Sequence, residues 1–263
     1  MTRRPQVTKI HLETYGQGKP IVLVHGWAMH TGIWREFAQQ LALNHQVTCI
    51  DLPGHGQSEK IDSFTLERIS AELVNAVPSE GCCWLGWSFG ATVVLDIASR
   101  YPERVSSLIL LAGNPLFTQT AQWPGMDVQL LDDFADNLSK NCQATLLRFL
   151  SLQVVDAPDY KALLKQLKAA VFEHDAPDRE TLQGGLDILK HADLRPALSK
   201  LAVPVSAILG SRDTLVPVAI GQQMQQLLPG MELNIIDNAG HVPFLSHQQA
   251  LLAIISRFMG QHE

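Results

Sequence analysis

At 263 residues, 46% hydrophobic and 17% charged, the chain can bury a large core in one or two domains. Its formal charge of −6 and pI near 5.9 exclude an electrostatic case for nucleic acid or an anionic membrane. No apolar run approaches the roughly 18 residues that span a bilayer, and Cys49, Cys82, Cys83 and Cys142 have neither disulfide-framework nor metal spacing.

In chain order, the basic start Met1 to Pro5 leads into Val7 to Glu13 without an apolar stretch, so no secretory signal is expected. Val7 to Thr14 alternates weakly, as an antiparallel edge strand does, and Gly16 to Pro20 reads as a turn. Ile21 to His25 is a continuous apolar run, expected of a parallel strand covered on both faces. It ends in His25-Gly26-Trp27 and a loop carrying Gly32, followed by a short helix from about Trp34 to Leu43. Gln46 to Asp51 is the next strand, ending in a loop that Pro53, Gly54 and Gly56 enforce. Leu66, Ile69, Leu73, Val74 and Val77 recur at helical spacing behind Thr65, a suitable N-cap.

Cys82-Cys83-Trp84-Leu85 then reads as the end of a buried strand, Gly86-Trp87-Ser88-Phe89-Gly90 as a sharp turn, and Ala91 to Leu95 as the start of a helix. Adjacent Cys82 and Cys83 point to opposite faces, and all four cysteines read as reduced core residues of a cytosolic protein. In a strand-to-helix turn the Ser88 hydroxyl is lifted out of the sheet above the positive end of the helix. Side chains at Gly86 or Gly90 would collide with the neighbouring helix or strand.

Arg104 to Ala112 is a further buried strand, after which the βα rhythm breaks at Asn114-Pro115. From there to about Asp193 the period is helical, through Leu130, Leu131, Phe134, Leu138, Leu146, Leu147, Leu163, Leu167, Leu186 and Leu189. The expected organisation is a core of residues 1–113 and 194–263 with a helical cap, 114–193, over the carboxyl ends of the strands. Strand and helix patterns resume with Val203 to Leu209, Ile220 to Leu228, Glu232 to Ile236 and Gln248 to Met259. The fold class is therefore α/β, with a mostly parallel sheet flanked by helices.

A serine hydroxyl needs a base, and the base needs an orienting carboxylate. Asp213 follows the strand ending at Leu209, and His241 follows the last strand in a turn that Gly240 opens. Ser88, Asp213 and His241 are thus candidates for nucleophile, acid and base, with Asp237 the fallback acid. Asp51 stands on the wrong side of Ser88 in chain order. His25 is expected to brace backbone, His55 to bond backbone in its Gly-rich turn, and His247 to face solvent. Two N–H donors must meet the oxyanion of a tetrahedral intermediate, and the backbone N–H groups of Phe89 and Trp27 are placed for this. The rings of Trp27 and Trp87 are expected as apolar walls of the entrance.

Together these segments, with Asp51-Leu52-Pro53-Gly54-His55-Gly56-Gln57-Ser58 and Ala239-Gly240-His241, resemble the α/β-hydrolases over the whole core. More narrowly, Trp84 to Ser88, Gln122 to Gly125, Arg148 to Gln153 and Gly184 to Leu189 resemble the pimeloyl-acyl-carrier-protein methyl ester esterases of biotin synthesis. That resemblance implies hydrolysis of the methyl ester that masks the distal carboxyl of a pimeloyl chain. It also implies substrate contacts from Trp27, Ser88, Phe89, Phe149, Leu150, Ser151, Leu152, Gln153 and His241. Ala28 and Ala91 depart from it where glycine is expected, and Phe89 where leucine is commoner.

The span 115–193 is acidic, with 7 Lys and Arg against 12 Asp and Glu. Yet Lys140 to Lys168 holds five basic residues against only Asp156 and Asp159, and Lys161, Lys165 and Lys168 share one helical face. With Arg148 they are candidates to dock an acidic carrier protein. The expected partners are that carrier protein and small esters, with no metal, cofactor, nucleic acid or membrane, and a monomeric chain in the cytoplasm. Other readings remain open: another activity of this fold on small esters, a C–C bond hydrolase, a lyase, or a binding module that keeps the fold without catalysis.

Overall fold

The computed structural model describes residues 8–78, 81–155, 157 and 159–262. The basic start Met1 to Pro5, Val7 and Asp156 lie outside the described residues. Seven strands form one sheet in the order β1-β3-β2-β4-β5-β6-β7. They are β1 (Leu12–Tyr15), β2 (Lys19–Val24), β3 (His45–Ile50), β4 (Cys82–Trp87), β5 (Val105–Leu111), β6 (Val205–Gly210) and β7 (Glu232–Ile236). Only β1 runs antiparallel, pairing Leu12 with Ile50 at the sheet edge. β1 therefore starts well after Val7, and Tyr15 belongs to it.

Helices α1 (Arg35–Leu41) and α11 (Gln248–Gln261) cover one face; α2 (Leu66–Ala76), α3 (Phe89–Arg100), α8 (Arg195–Leu198) and α9 (Ile220–Leu227) cover the other. Thr65 caps α2 by accepting from the Arg68 N–H at 3.3 Å. Two short helices have no periodic signature in the sequence: α8 and α10 (Pro243–Ser246), each opened by a proline in its first turn. At four residues they are too short for a 3.6-residue period to show. Between β5 and β6 run α4 (Val128–Lys140), α5 (Cys142–Leu152), α6 (Tyr160–Val171) and α7 (Arg179–His191). Among the described residues this span holds no strand, only two isolated bridges.

Side-chain alternation along β4 splits the core. Cys82 and Trp84 pack on the α2–α3 face, whereas Cys83, Leu85 and Trp87 pack on the α1–α11 face. All four cysteines are free thiols. Burial pushes the Cys83 thiol up to about 12 and raises that of Cys49, so neither is a nucleophile near neutrality. Cys142, expected in the core, is only half-buried, because it opens α5 at the edge of the helical span. Among the described residues no helix is long and apolar enough to cross a membrane, and no cluster of three or more His, Cys, Asp or Glu could hold a metal ion.

Candidate active site

The turn after β4 is built by two close approaches. A Cβ on Gly86 would strike the backbone of Gly90 in α3, and one on Gly90 would strike the Val24 carbonyl of β2. Only glycine lets strand, turn and helix come this close, as the sequence implies. The cost falls on Ser88, which is held at φ 56° and ψ −118°. A non-glycine residue there carries strain of about 1–3 kcal/mol, a feature of functional turns. The Ser88 N–H donates to the Leu111 carbonyl at 3.0 Å, locking the turn to β5.

Ser88 Oγ donates to His241 Nε2 at 2.8 Å, and His241 Nδ1 donates to Asp213 Oδ2 at 2.8 Å. The other carboxylate oxygen, Oδ1, accepts from the N–H groups of Leu215 and Val216, each at 2.9 Å. Asp213 is thus fixed on both oxygens, and His241 has its proton on Nδ1 with Nε2 free to accept. The loops carrying Asp213 and His241 are laced together by the Arg212 N–H donating to the Ala239 carbonyl at 2.9 Å. Asp237, the fallback acid, is exposed, and Asp213 already occupies Nδ1. The left-handed residue of the base turn is Asn238, at φ 59°, and not Gly240, where a Cβ would make only ordinary contact with the Gln153 carbonyl at 3.5 Å.

Phe89 opens α3, so its N–H is among the first four that the helix ladder leaves unused. Its side chain is fully buried in the core, leaving the N–H as its contribution to the turn. Trp27 follows β2, its ring beside Ser88 in the same cavity. Its indole N–H donates to the Leu182 carbonyl of α7 at 2.9 Å, joining the loop after β2 to α7. Ala28 sits at φ 61°, a conformation that favours glycine, which accounts for glycine being expected there. At Ala91 the methyl occupies the space that Gly113 leaves open, since a Cβ on Gly113 would overlap it.

His25 and His55 brace the fold. His25 Nδ1 donates to the Gly26 carbonyl at 2.8 Å and its Nε2 accepts from the Leu52 N–H at 3.0 Å, which uses the neutral ring completely. His55 Nδ1 donates to the Pro53 carbonyl at 3.0 Å. Burial pulls both rings down to about 3, so they stay neutral at any working pH. Asp51 accepts from the Thr31 and Gln57 N–H groups and shapes the loop. His247 is half-buried and bonded to Ser246, contrary to the solvent-facing expectation, because α10 and α11 pack around it.

Above Ser88 lies a narrow apolar cavity. Trp27 and Leu215 contribute to its walls from the loops after β2 and β6, and Phe117 from the segment between β5 and α4. The helices between β5 and β6 contribute Leu130, Leu131 and Phe134 from α4, Phe149 from α5, and Leu186 and Leu189 from α7. Met126 completes it. Ser88 supplies the only polar side chain in this lining among the described residues. Trp87, expected at the entrance, is not there. It lies on the opposite face of β4, packed on Trp34 and Phe244, with its indole N–H donating to the His241 carbonyl at 2.8 Å. It holds the base loop from below.

Of the α5 segment, only Phe149 reaches the cavity. Leu150 packs into the α1–α11 side of the core, Ser151 Oγ donates to the Leu147 carbonyl at 2.9 Å, and Leu152 is half-buried. The Gln153 carboxamide is buried without a hydrogen-bond partner among the described residues. Sequence reasoning missed Phe117, Met126 and Leu215 as lining, and used the leucines of α4 and α7 only as marks of helical period. On α6, Lys161 and Lys165 are exposed and Lys168 is half-buried; Arg148 on α5 is exposed.

Residues 19–248 match the family model described as the alpha/beta hydrolase fold. The chain is 41% identical over 250 residues to the pimeloyl-[acyl-carrier protein] methyl ester esterase of Methylococcus capsulatus, covering 95% of this chain and 98% of the relative. It is 34% identical over 255 residues to the protein of the same name from Aliivibrio fischeri, covering 97% and 99%. Among solved structures it is similar to an esterase from Exiguobacterium antarcticum, with a TM-score of 0.86, 23% identity and 96% of each chain covered. At that identity the likeness speaks for the fold alone.

Proposed function

Because the chain belongs to the α/β-hydrolase family, we propose that it is a serine esterase that removes the methyl ester from a pimeloyl chain borne on an acyl-carrier protein. The observation that carries this reading is the Ser88–His241–Asp213 hydrogen-bonded series at the floor of an apolar cavity. The names of the relatives supply the substrate.

In the reaction, Ser88 Oγ attacks the ester carbonyl carbon while its proton passes to His241 Nε2. The N–H groups of Trp27 and Phe89 receive the negative oxygen. Collapse of the intermediate breaks the bond to methoxide, which leaves as methanol with the proton from His241. Water then repeats the sequence on the acyl-enzyme, releasing the carboxylic acid and restoring Ser88. Asp213 keeps the imidazole in the tautomer that can accept, and balances its charge once it is protonated.

The apolar walls suit the five methylenes of a pimeloyl chain, worth about 0.8 kcal/mol each when buried, or about 4 kcal/mol together. The carboxylate product finds no charged partner among those walls, which favours its release. Arg148, Lys161, Lys165 and Lys168 offer the cap face on which an acidic carrier protein docks. The four free thiols fit a reducing, cytosolic setting.

The test is release of methanol from a pimeloyl methyl ester on its carrier protein by the purified enzyme, with Ser88→Ala as control. The reading requires turnover by the wild type and a loss on the order of 10⁴-fold or more in the variant. A Ser88→Ala enzyme retaining a tenth of the rate would overturn it.

A further inference from the structure

One aromatic ring serves two sides of the cap. Phe134 on α4 lines the apolar cavity above Ser88 and also lines a separate, open surface groove between α4 and α5. The two spaces differ in chemistry. The groove is edged by Asn137, Asn141, Thr145 and Arg148; Asn137 Nδ2, Asn141 Oδ1 and the Thr145 hydroxyl are engaged within the helices, which leaves Asn137 Oδ1, Asn141 Nδ2 and the Arg148 guanidinium without a hydrogen bond among the described residues. The cavity wall beyond the ring is apolar. Phe134 itself is 5% exposed, so it fills the boundary and does not project from it.

The contacts of this ring are asymmetric in the same sense. On the groove side, the Arg148 guanidinium lies 5.6 Å from its centroid. On the cavity side, Phe149 meets it at 6.0 Å and an interplanar angle of 90°. Trp27 extends the series, edge-on to Phe149 at 4.8 Å, and also stands beside Ser88 in the cavity. A line of rings therefore runs from the surface guanidinium to the nucleophile. Each link is weak by itself, of the kind a change of χ1 breaks and remakes.

A tethered substrate sets a topological condition. Its ester must reach Ser88 while the far end of the acyl chain stays attached to a carrier outside the protein. A narrow apolar cavity meets this condition only where its wall opens to the surface. Polar walls that can hydrogen-bond an amide-bearing tether stand directly across Phe134.

We propose that Phe134 is a gate and specificity-determining residue: rotation of its ring joins the α4–α5 groove to the cavity, admitting acyl chains that extend past the cavity or are tethered outside it. The role of a tethered substrate rests on the function proposed above. The bulk at position 134 then sets how well long chains are used relative to short ones. Arg148 and Phe149 hold the ring closed when no chain is threaded.

The experiment compares kcat/KM for p-nitrophenyl dodecanoate and p-nitrophenyl acetate in the wild type, Phe134→Ala and Phe134→Trp. The quantity read is the long-to-short ratio. Opening the gate with alanine should raise it by about fivefold or more, and blocking it with tryptophan should lower it by a similar factor, the scale of discrimination a few methylenes provide. A ratio within about twofold of wild type in both variants overturns the gate on that same scale. Should Phe134→Trp fail to fold, judged by thermal unfolding, Phe134→Leu replaces it. The ratio must then fall in the order alanine, leucine, phenylalanine, and any other order overturns the gate. Methanol release from the carrier-bound methyl ester by the wild type is measured alongside. Its absence removes the proposed function, while the ratio, read on untethered esters, still decides the gate.

Discussion

Asp213→Asn is a near-isosteric change whose effect follows from which atoms Asp213 already engages. Oδ1 accepts from two backbone N–H groups, of Leu215 and Val216, both at 2.9 Å, and Oδ2 accepts from His241 Nδ1 at 2.8 Å. An asparagine has one oxygen and one NH₂. Turning the NH₂ toward Leu215 and Val216 would set donors against two buried donors, at a cost of about 1–3 kcal/mol for each unsatisfied group. The oxygen therefore stays on the backbone, and the NH₂ faces His241. The imidazole must then accept at Nδ1 and carry its proton on Nε2, pointing at Ser88 Oγ, where it cannot act as a base. The expected loss in kcat is on the order of 10⁴, about 5.4 kcal/mol at 1.36 kcal/mol per decade. Fold and stability should be nearly unchanged, since no volume is altered. The assay is steady-state hydrolysis of p-nitrophenyl acetate, with urea unfolding to check the fold. A loss below about 100-fold, or an equal loss from Asp237→Asn with Asp213→Asn active, would refute the tautomer argument.

Reversing charge on α6 with Lys161→Glu and Lys165→Glu should lower the ratio of kcat/KM on a carrier-bound ester to that on a small ester by about tenfold at low salt, because rim charges govern encounter. A ratio that does not move would leave that face merely solvated. His25 and His55 stay neutral in the fold down to about 3 but take up protons near 6.5 when unfolded. Below about pH 6.5 the unfolded chain thus binds more protons, and stability falls with pH by up to about 1.4 kcal/mol per unit for each ring until the folded value is reached. His55→Gln should flatten the plot of unfolding free energy against pH between about 4.5 and 6.5 by about that amount per unit; an unchanged slope would contradict the burial argument. Gly113→Ala should cost about 1–3 kcal/mol, because the new methyl overlaps that of Ala91. Ala91→Gly in the same chain should recover part of the loss. Strict additivity in guanidinium unfolding would mean that the two methyls do not compete.

Much of this protein follows from local chemistry written along the chain. Continuous apolar runs such as Ile21 to Val24 had to be strands covered on both faces, and β2 lies between β3 and β4 under helices on each side. Glycine on both sides of Ser88 had to mark a turn tight enough to exclude a Cβ, because the close approach involves only neighbouring segments. Helix α2 and its Thr65 cap are legible for a like reason, since both are local to one segment.

Tertiary structure decided what periodicity leaves degenerate. Asp213 and Asp237 both follow strands and both precede His241; the parallel pairing of β6 and β7 and the bond from Arg212 to Ala239 bring the former within 2.8 Å of the imidazole. Trp27 and Trp87 are alike as letters. The pleat of β4 sends Trp87 away from the cavity to hold the base loop, and the indole bond to Leu182 fixes Trp27 beside it. The leucines of α4 and α7 show an apolar face in sequence, but the same period serves a face that meets solid core and one that meets an open cavity. A sequence pattern records that a side chain avoids water. Only the packing of distant segments determines what it meets instead.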